Sequence, residues 1–267
     1  MTVDRITSAT LRAMKRRREP IVSLTCYDAA FCHLLEQAGV DVLLVGDSLG
    51  MVLQGQPSTV AVSLEHMVYH TACVSRVGKR ALVLADMPFL SYATAERALQ
   101  AAERLMAEGG AGMVKLEGGA AVLQTVGLLT RFGVPVCGHL GLLPQSVHQI
   151  GGYRYQGRDD AGAARIRADA LALQEAGASL LVLECVPAEL AAALSAELET
   201  PVIGIGAGSG TDGQVLVLHD MLGLTPGRSP RFSRNFMADA DSVSQAVAAY
   251  VAEVRSRAFP GPEQTLA

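Results

Sequence analysis

Val42-Leu43-Leu44-Val45-Gly46-Asp47-Ser48-Leu49-Gly50 is an apolar run that stops abruptly at a carboxylate, a hydroxyl and a glycine. The same pattern returns at Val83-Leu84-Ala85-Asp86, at Met113-Val114-Lys115-Leu116-Glu117-Gly118 and at Leu181-Val182-Leu183-Glu184. Apolar runs without polar alternation are strands covered on both faces, which is the habit of parallel sheets. Repeated strands that each end in an acid predict a ring of parallel strands whose carboxyl ends surround one site. Carboxylates crowded there repel one another, so a positive partner is expected, and a hard divalent cation is the simplest.

Working outward, strands are predicted over residues 21–25, 42–46, 81–85, 112–117, 134–138, 179–183, 201–205 and 215–218. Helical patterns fall between them at 29–38, 64–76, 94–107, 120–132, 163–176 and 188–198, with an opening helix at 7–19 and a closing one at 242–257. The gap between the last two strands holds only a turn of helix, too short for a full crossover. Eight strands alternating with helices predict a (β/α)₈ TIM barrel, one domain over residues 1–267 with a loose tail at about 259–267. An open doubly wound sheet fits less well, because the chemistry-bearing residues end many strands instead of meeting at one switch point. Lys15-Arg16-Arg17-Arg18 reads as the solvated end of the opening helix.

The chain has 267 residues, half of them hydrophobic, and a net charge of −4. That supports a sizeable core and no basic nucleic-acid face. No apolar run reaches membrane-spanning length, and the start shows no signal-peptide pattern. The odd set Cys26, Cys32, Cys73, Cys137 and Cys185 forms no CxxC pair and reads as buried free thiols in a reducing cytoplasm.

Asp47, Asp86 and Glu117 end adjacent strands and suit magnesium, which takes oxygen ligands and one or two carboxylates plus water or substrate. No HxH or HExxH spacing speaks for zinc. Strand side chains alternate, so Lys115 and Glu117 share the inward face if Leu116 packs on the helices. Lys115 is then either a cation, pairing with Glu117 or with an anionic substrate, or a Schiff-base nucleophile, and its acidic neighbour favours the first. His139 either hydrogen-bonds substrate or satisfies backbone groups. Glu184 lies across the ring from the strand of Asp47, where a carboxylate away from the metal can act as general base. The stretch 141–160, with Tyr153, Arg154, Tyr155 and paired glycines, reads equally as a lid or as a surface excursion.

The segments VGDSLGMVLQG, ADMPF, VKLEGG, GHLGLLPQS, GGYRYQGR, LVLECVP and DGQVLVLHDMLG follow one another across most of the chain. Together they resemble the ketopantoate hydroxymethyltransferase family. The resemblance implies a barrel enzyme that moves a one-carbon unit from 5,10-methylenetetrahydrofolate to α-ketoisovalerate (3-methyl-2-oxobutanoate), giving ketopantoate on the route to pantothenate and coenzyme A. It implies Mg²⁺ associated with Asp47, Asp86 and Glu117, keto-acid contacts from Asp47, Ser48, Asp86 and Lys115, and Glu184 as base. It also implies a homo-oligomer, a decamer in bacterial members. Two departures stand out: Leu143 where the family pattern has threonine, and Ser209-Gly210-Thr211 in place of a proline- and cysteine-containing version. Another metal-dependent keto-acid lyase or mutase, or a barrel that only binds small molecules, would be the alternatives.

Overall fold

The apolar runs pair side by side in chain order, β1 (Ile21–Thr25), β2 (Val42–Val45), β3 (Leu82–Asp86), β4 (Met113–Glu117), β5 (Val136–Gly141), β6 (Leu180–Glu184), β7 (Val202–Ile205) and β8 (Gly213–Leu216). The computed structural model describes residues 4–265 except Tyr153, Pro226, Arg228 and the side chain of Ile150. β8 pairs parallel with β1 through Ile21↔Gly213 and Leu24↔Leu216, so the sheet closes on itself and the open-sheet alternative is excluded. Closure is tight: a Cβ on Gly213 would lie 2.3 Å from the Ile21 carbonyl oxygen, so only glycine lets β8 seat there. Side chains such as Ile21, Leu24, Leu43 and Leu116 are fully buried, each contributing roughly 1.5–3 kcal/mol of hydrophobic stabilisation.

Helices lie between successive strands at Ala29–Ala38, Leu64–Ser75, Ala95–Glu103, Leu123–Arg131, Asp160–Glu175 and Ala188–Glu197, and Val243–Arg255 follows β8. Their starts are local chemistry: Asp28, Ser63, Thr94, Asp159 and Ser242 each accept a main-chain N–H three residues on, satisfying an otherwise unpaired donor. The opening helix is Ser8–Arg16, capped by Thr7.

The amino ends of the strands form the stabilising face. Asp41, just before β2, accepts from Val22 N–H at 2.9 Å and pairs with Arg80 and Arg255. The Tyr250 hydroxyl donates to the Ser23 carbonyl at 2.9 Å, and its ring packs edge-on against Phe236 and Phe259. Lys15 is not solvated as the sequence suggested. Its Nζ donates to Asp212 Oδ2 and to the Ser195 carbonyl, both at 2.6 Å, because the opening helix lies against the helix Ala188–Glu197 and the turn that leads into β8.

Other expectations are corrected at their edges. β5 extends to Gly141, so His139 lies within the strand and not at its end; pairing with β6 carries it on. β8 begins two residues earlier than expected, and His219-Asp220 sit in the short helix Leu218–Met221. Residues 206–212 are turns without the expected helix. The stretch after Arg257 is anchored rather than loose as far as it is described, for Phe259 and Pro260 are buried and Pro262–Gln264 forms a 3₁₀ turn. Tyr153, one of the aromatics noted in the 141–160 stretch, lies outside the described residues.

Gly141 ties the fold to the site. Its φ is +93°, and a Cβ there would sit 2.1 Å from the Glu184 carbonyl oxygen, an oxygen that accepts Leu142 N–H at 2.8 Å. Gly141→Ala combines a left-handed backbone with a clash against main chain, so it is expected to lower unfolding free energy by about 2 kcal/mol or more. Chemical denaturation measures this, and an unchanged midpoint would contradict the close approach.

Candidate active site

Parallel register builds the site. Asp86, Glu117 and Glu184 are the last residues of β3, β4 and β6, and Asp47 lies two residues past β2. Asp86 is opposite Lys115, Lys115 opposite Cys137, Glu117 opposite His139 and Gly141 opposite Glu184. The two-residue alternation therefore sets Lys115 and Glu117 on one face with Asp86 and His139. Every acid expected at the strand ends stands at one rim.

The contacts group the residues. The Lys115 ammonium pairs with Asp86 Oδ1 and not with Glu117 as the sequence suggested, because the β3–β4 register sets Asp86 opposite it; both side chains are about as buried as the barrel core. Asp86 Oδ2 accepts the Asp47 main-chain N–H at 3.0 Å. His139 lies between two acids, Nδ1 3.5 Å from Glu117 Oε1 and Nε2 3.2 Å from Glu184 Oε2. Neither ring nitrogen forms a well-directed hydrogen bond, so these contacts act through charge. Ser48 Oγ shares a 2.8 Å hydrogen bond with the Tyr27 hydroxyl. The Glu184 side chain is 14% exposed, against 3% for Glu117, which leaves it the most accessible of the strand-end carboxylates.

Sequence reasoning missed Gln145. It sits on the 3₁₀ turn Pro144–Ser146 after β5 and is buried. Its main-chain N–H donates to Glu117 Oε2 at 3.0 Å, and Nε2 donates to Asp47 Oδ2 at 2.8 Å and to the Met87 carbonyl at 3.0 Å. Tyr92, also missed, donates its hydroxyl to Gln145 Oε1 at 2.6 Å and accepts Glu117 N–H at 3.3 Å. The Pro-Gln pair within the quoted GHLGLLPQS segment was the available signal, but nothing in the sequence tied it to β2. Farther along, Cys185 holds a left-handed φ of 49°, braced by Cys185 N–H to the Ile205 carbonyl and Gln156 N–H to the Cys185 carbonyl, both at 2.9 Å. Both arms of the 141–160 stretch are thereby docked on the rim.

The electrostatics follow from burial and sign. Burial alone would lower the Lys115 pKa, but Asp86, Glu117 and Asp47 outweigh it and hold the amine above its ordinary value. Burial first, then the charges of Asp86 and Glu117, push Asp47 well above the usual carboxylate range, against the pull of Lys115 and Gln145. Burial and Lys115 lower the His139 pKa, yet Glu117 and Glu184 raise it more, to about 9. His139 is therefore positively charged at neutral pH and loses that charge as pH rises through about 9.

The four acids Asp47, Asp86, Glu117 and Glu184 thus gather around two cationic side chains, Lys115 and His139. That surplus of hard oxygen donors fits a divalent cation in charge and in donor type. Among the described residues no three His, Cys, Asp or Glu side chains converge tightly enough to hold an ion by themselves. The fit is to an ion held by one or two carboxylates, with other oxygens completing its shell.

Comparison with known proteins places this rim in a family. The sequence profile of ketopantoate hydroxymethyltransferase matches residues 5–262. The chain is 58% identical over 258 residues to the 3-methyl-2-oxobutanoate hydroxymethyltransferase of Halorhodospira halophila, covering 97% of this chain and 94% of that one. It is 59% identical over 255 residues to the protein of the same name from Alkalilimnicola ehrlichii, covering 96% and 92%. Among solved structures, phosphoenolpyruvate phosphomutase from Streptomyces platensis subsp. rosaceus superposes with a TM-score of 0.62 at 14% identity, covering 82% of this chain and 83% of that one. That last likeness is one of fold alone. With matching motifs, a closed barrel and near full-length identity, the chain belongs to the ketopantoate hydroxymethyltransferase family.

Proposed function

We propose that this chain transfers a hydroxymethyl group from 5,10-methylenetetrahydrofolate to 3-methyl-2-oxobutanoate, yielding ketopantoate for pantothenate and coenzyme A synthesis. The observation that carries the reading is 58% identity, over 97% of the chain, to a protein named for that activity. The rim supports it: surplus acid around one lysine, and a more accessible carboxylate two strands away from that lysine's strand.

Asp47 and Asp86, with Glu117 beside them, are the residues that would hold Mg²⁺. The ion would supply Lewis-acid polarisation of the keto oxygen, making the C3 proton more acidic. Lys115, kept protonated by its acidic neighbours, adds positive potential where the enolate charge develops and is a poor nucleophile in that state. Ser48 and the charged His139 orient the keto acid. Glu184 takes the C3 proton. The enolate carbon bonds to the methylene carbon of the folate, whose two C–N bonds break; water supplies the oxygen of the new hydroxymethyl group, and the two folate nitrogens take the C3 proton from Glu184 and one proton from that water, leaving tetrahydrofolate.

His139 adds a task to that scheme. Its contact at 3.2 Å with Glu184 Oε2 holds that carboxylate in place at the rim. No helix among the described residues is long and apolar enough to cross a membrane. The small-molecule substrates, the mild charge and the free thiols, all buried except the half-buried Cys73, support a cytoplasmic setting. Exposed Leu53, Tyr69, Phe89 and Leu90 support self-association, with the decamer implied by the family resemblance as the form to test.

The activity is tested by incubating the chain with both substrates. Ketopantoate should form, a chelator should stop it, and borohydride with keto acid should leave Lys115 unmodified. A borohydride-trapped adduct at Lys115, with chelator harmless, would replace this mechanism by Schiff-base chemistry.

The acids should separate by role. Glu184→Gln keeps size and removes the basic oxygen, so magnesium and keto acid should bind nearly as in wild type while C3 proton exchange falls on the order of 10²–10⁴-fold. Asp86→Asn removes the partner of a buried ammonium, a change that typically costs about 3–5 kcal/mol, and should impair binding, exchange and stability together. Calorimetry and proton NMR distinguish the two patterns. Wild-type exchange in Glu184→Gln would show that another group is the base.

A further inference from the structure

Asp47 and Glu117 come from different strands and are two acids in one site, yet both are buried and both are held. The same residue holds them. Gln145 gives its main-chain N–H to Glu117 Oε2 and its side-chain Nε2 to Asp47 Oδ2, and the second Nε2 contact is the Met87 carbonyl just past β3. A side-chain amide can flip, which would present an oxygen to Asp47 in place of a donor. Here the orientation is determined from the far side. The Tyr92 hydroxyl donates to Gln145 Oε1 at 2.6 Å, and its oxygen accepts Glu117 N–H at 3.3 Å, so that oxygen is committed as an acceptor and its hydrogen is free for Oε1. With Tyr92 donating, Nε2 must face Asp47.

We infer that Gln145 is a positioning residue for the reaction, its amide oriented by the Tyr92 hydroxyl, and that docking of the Pro144–Ser146 turn sets the Asp47 and Glu117 carboxylates for substrate. The assignment of substrate rests on the function proposed above; the linkage between turn and carboxylates does not. A flipped or missing amide leaves Asp47 without its donor and adds like-dipole repulsion, so Asp47 turns away from the orientation in which it meets ligand. Glu184 makes no contact with Gln145 or Tyr92 among the contacts described and is reached from the turn only through Glu117 and His139, so the proton-moving group is displaced less than Asp47.

Two measurements on the full chain test this. The first uses no substrate: hydrogen exchange read by mass spectrometry in wild type, Asp47→Ala and Tyr92→Phe. Peptides covering residues 142–148 should exchange about 5-fold faster or more in both variants, as loss of one hydrogen bond implies. The helix Val243–Arg255 should be unchanged. Equal exchange at 142–148 in all three proteins would overturn the linkage. The second is calorimetric binding of α-ketoisovalerate with magnesium. Gln145→Ala should weaken it on the order of 10- to 100-fold, Tyr92→Phe should weaken it less, and the double variant should be no worse than Gln145→Ala alone. At saturating keto acid, C3 exchange in Gln145→Ala should stay within a few-fold of wild type, a split that general loosening of the fold would not give. Wild-type affinity in Gln145→Ala, or additive effects in the double variant, would overturn the positioning role. If wild type itself fails to bind the keto acid, the functional reading falls, and the exchange experiment still decides the clamp.

Discussion

The buried ion pair between Lys115 and Asp86 is the constraint on which the rest of the site depends. Taking two charges out of water costs several kcal/mol each, and their attraction repays it only when geometry and further polar contacts are good. Here the pair shares its buried region with two further acids, Asp47 and Glu117, and with the His139 ring beside Glu117. The β3–β4 register, with Asp86 opposite Lys115, forces the pair together. The closed sheet holds that register by hydrophobic burial around the whole ring. The rim is thus an unfavourable charge arrangement supported by a stable scaffold, which is where ligand binding gains most from added positive charge.

The molecule divides its work between two faces. At the amino ends of the strands, charges are matched and aromatic rings pack, as in Asp41 with Arg80 and Arg255 or Tyr250 with Phe236 and Phe259. At the carboxyl ends, like charges accumulate and the main chain takes a left-handed turn at Cys185. Such a division is general for this barrel, where stability and chemistry occupy opposite ends. The segment after β5 joins the site itself, because Gln145 and Gln156 dock its two arms beside Glu117 and Glu184.

Much of this was legible in the sequence for simple reasons. Apolar runs cut short by Asp86, Glu117 and Glu184 mark the strands and their carboxyl ends at once, and alternation alone sets Lys115 and Glu117 on one face. The helix starts at 29 and 64 were also legible, and each follows a residue that caps it, Asp28 or Ser63. What was not legible depended on partners distant in the chain. Lys15 looked solvated beside Arg16–Arg18, because its partner Asp212 is 197 residues away. Gln145 looked like loop chemistry, because its contact with Asp47 spans 98 residues. The ends of β5 and β8 shifted because strand limits are set by neighbouring strands, not by the run itself. The proposed roles of the acids go beyond both sequence and geometry and rest on chemistry.

The central claim is that this rim makes a keto acid lose its C3 proton. Proton NMR of 3-methyl-2-oxobutanoate in D₂O, with the wild-type chain and no folate, tests it most directly. The account holds that deuterium enters C3 when magnesium is present and that chelation abolishes the exchange. Exchange at the same rate without any divalent ion, or none with it at demonstrated substrate saturation, would contradict it.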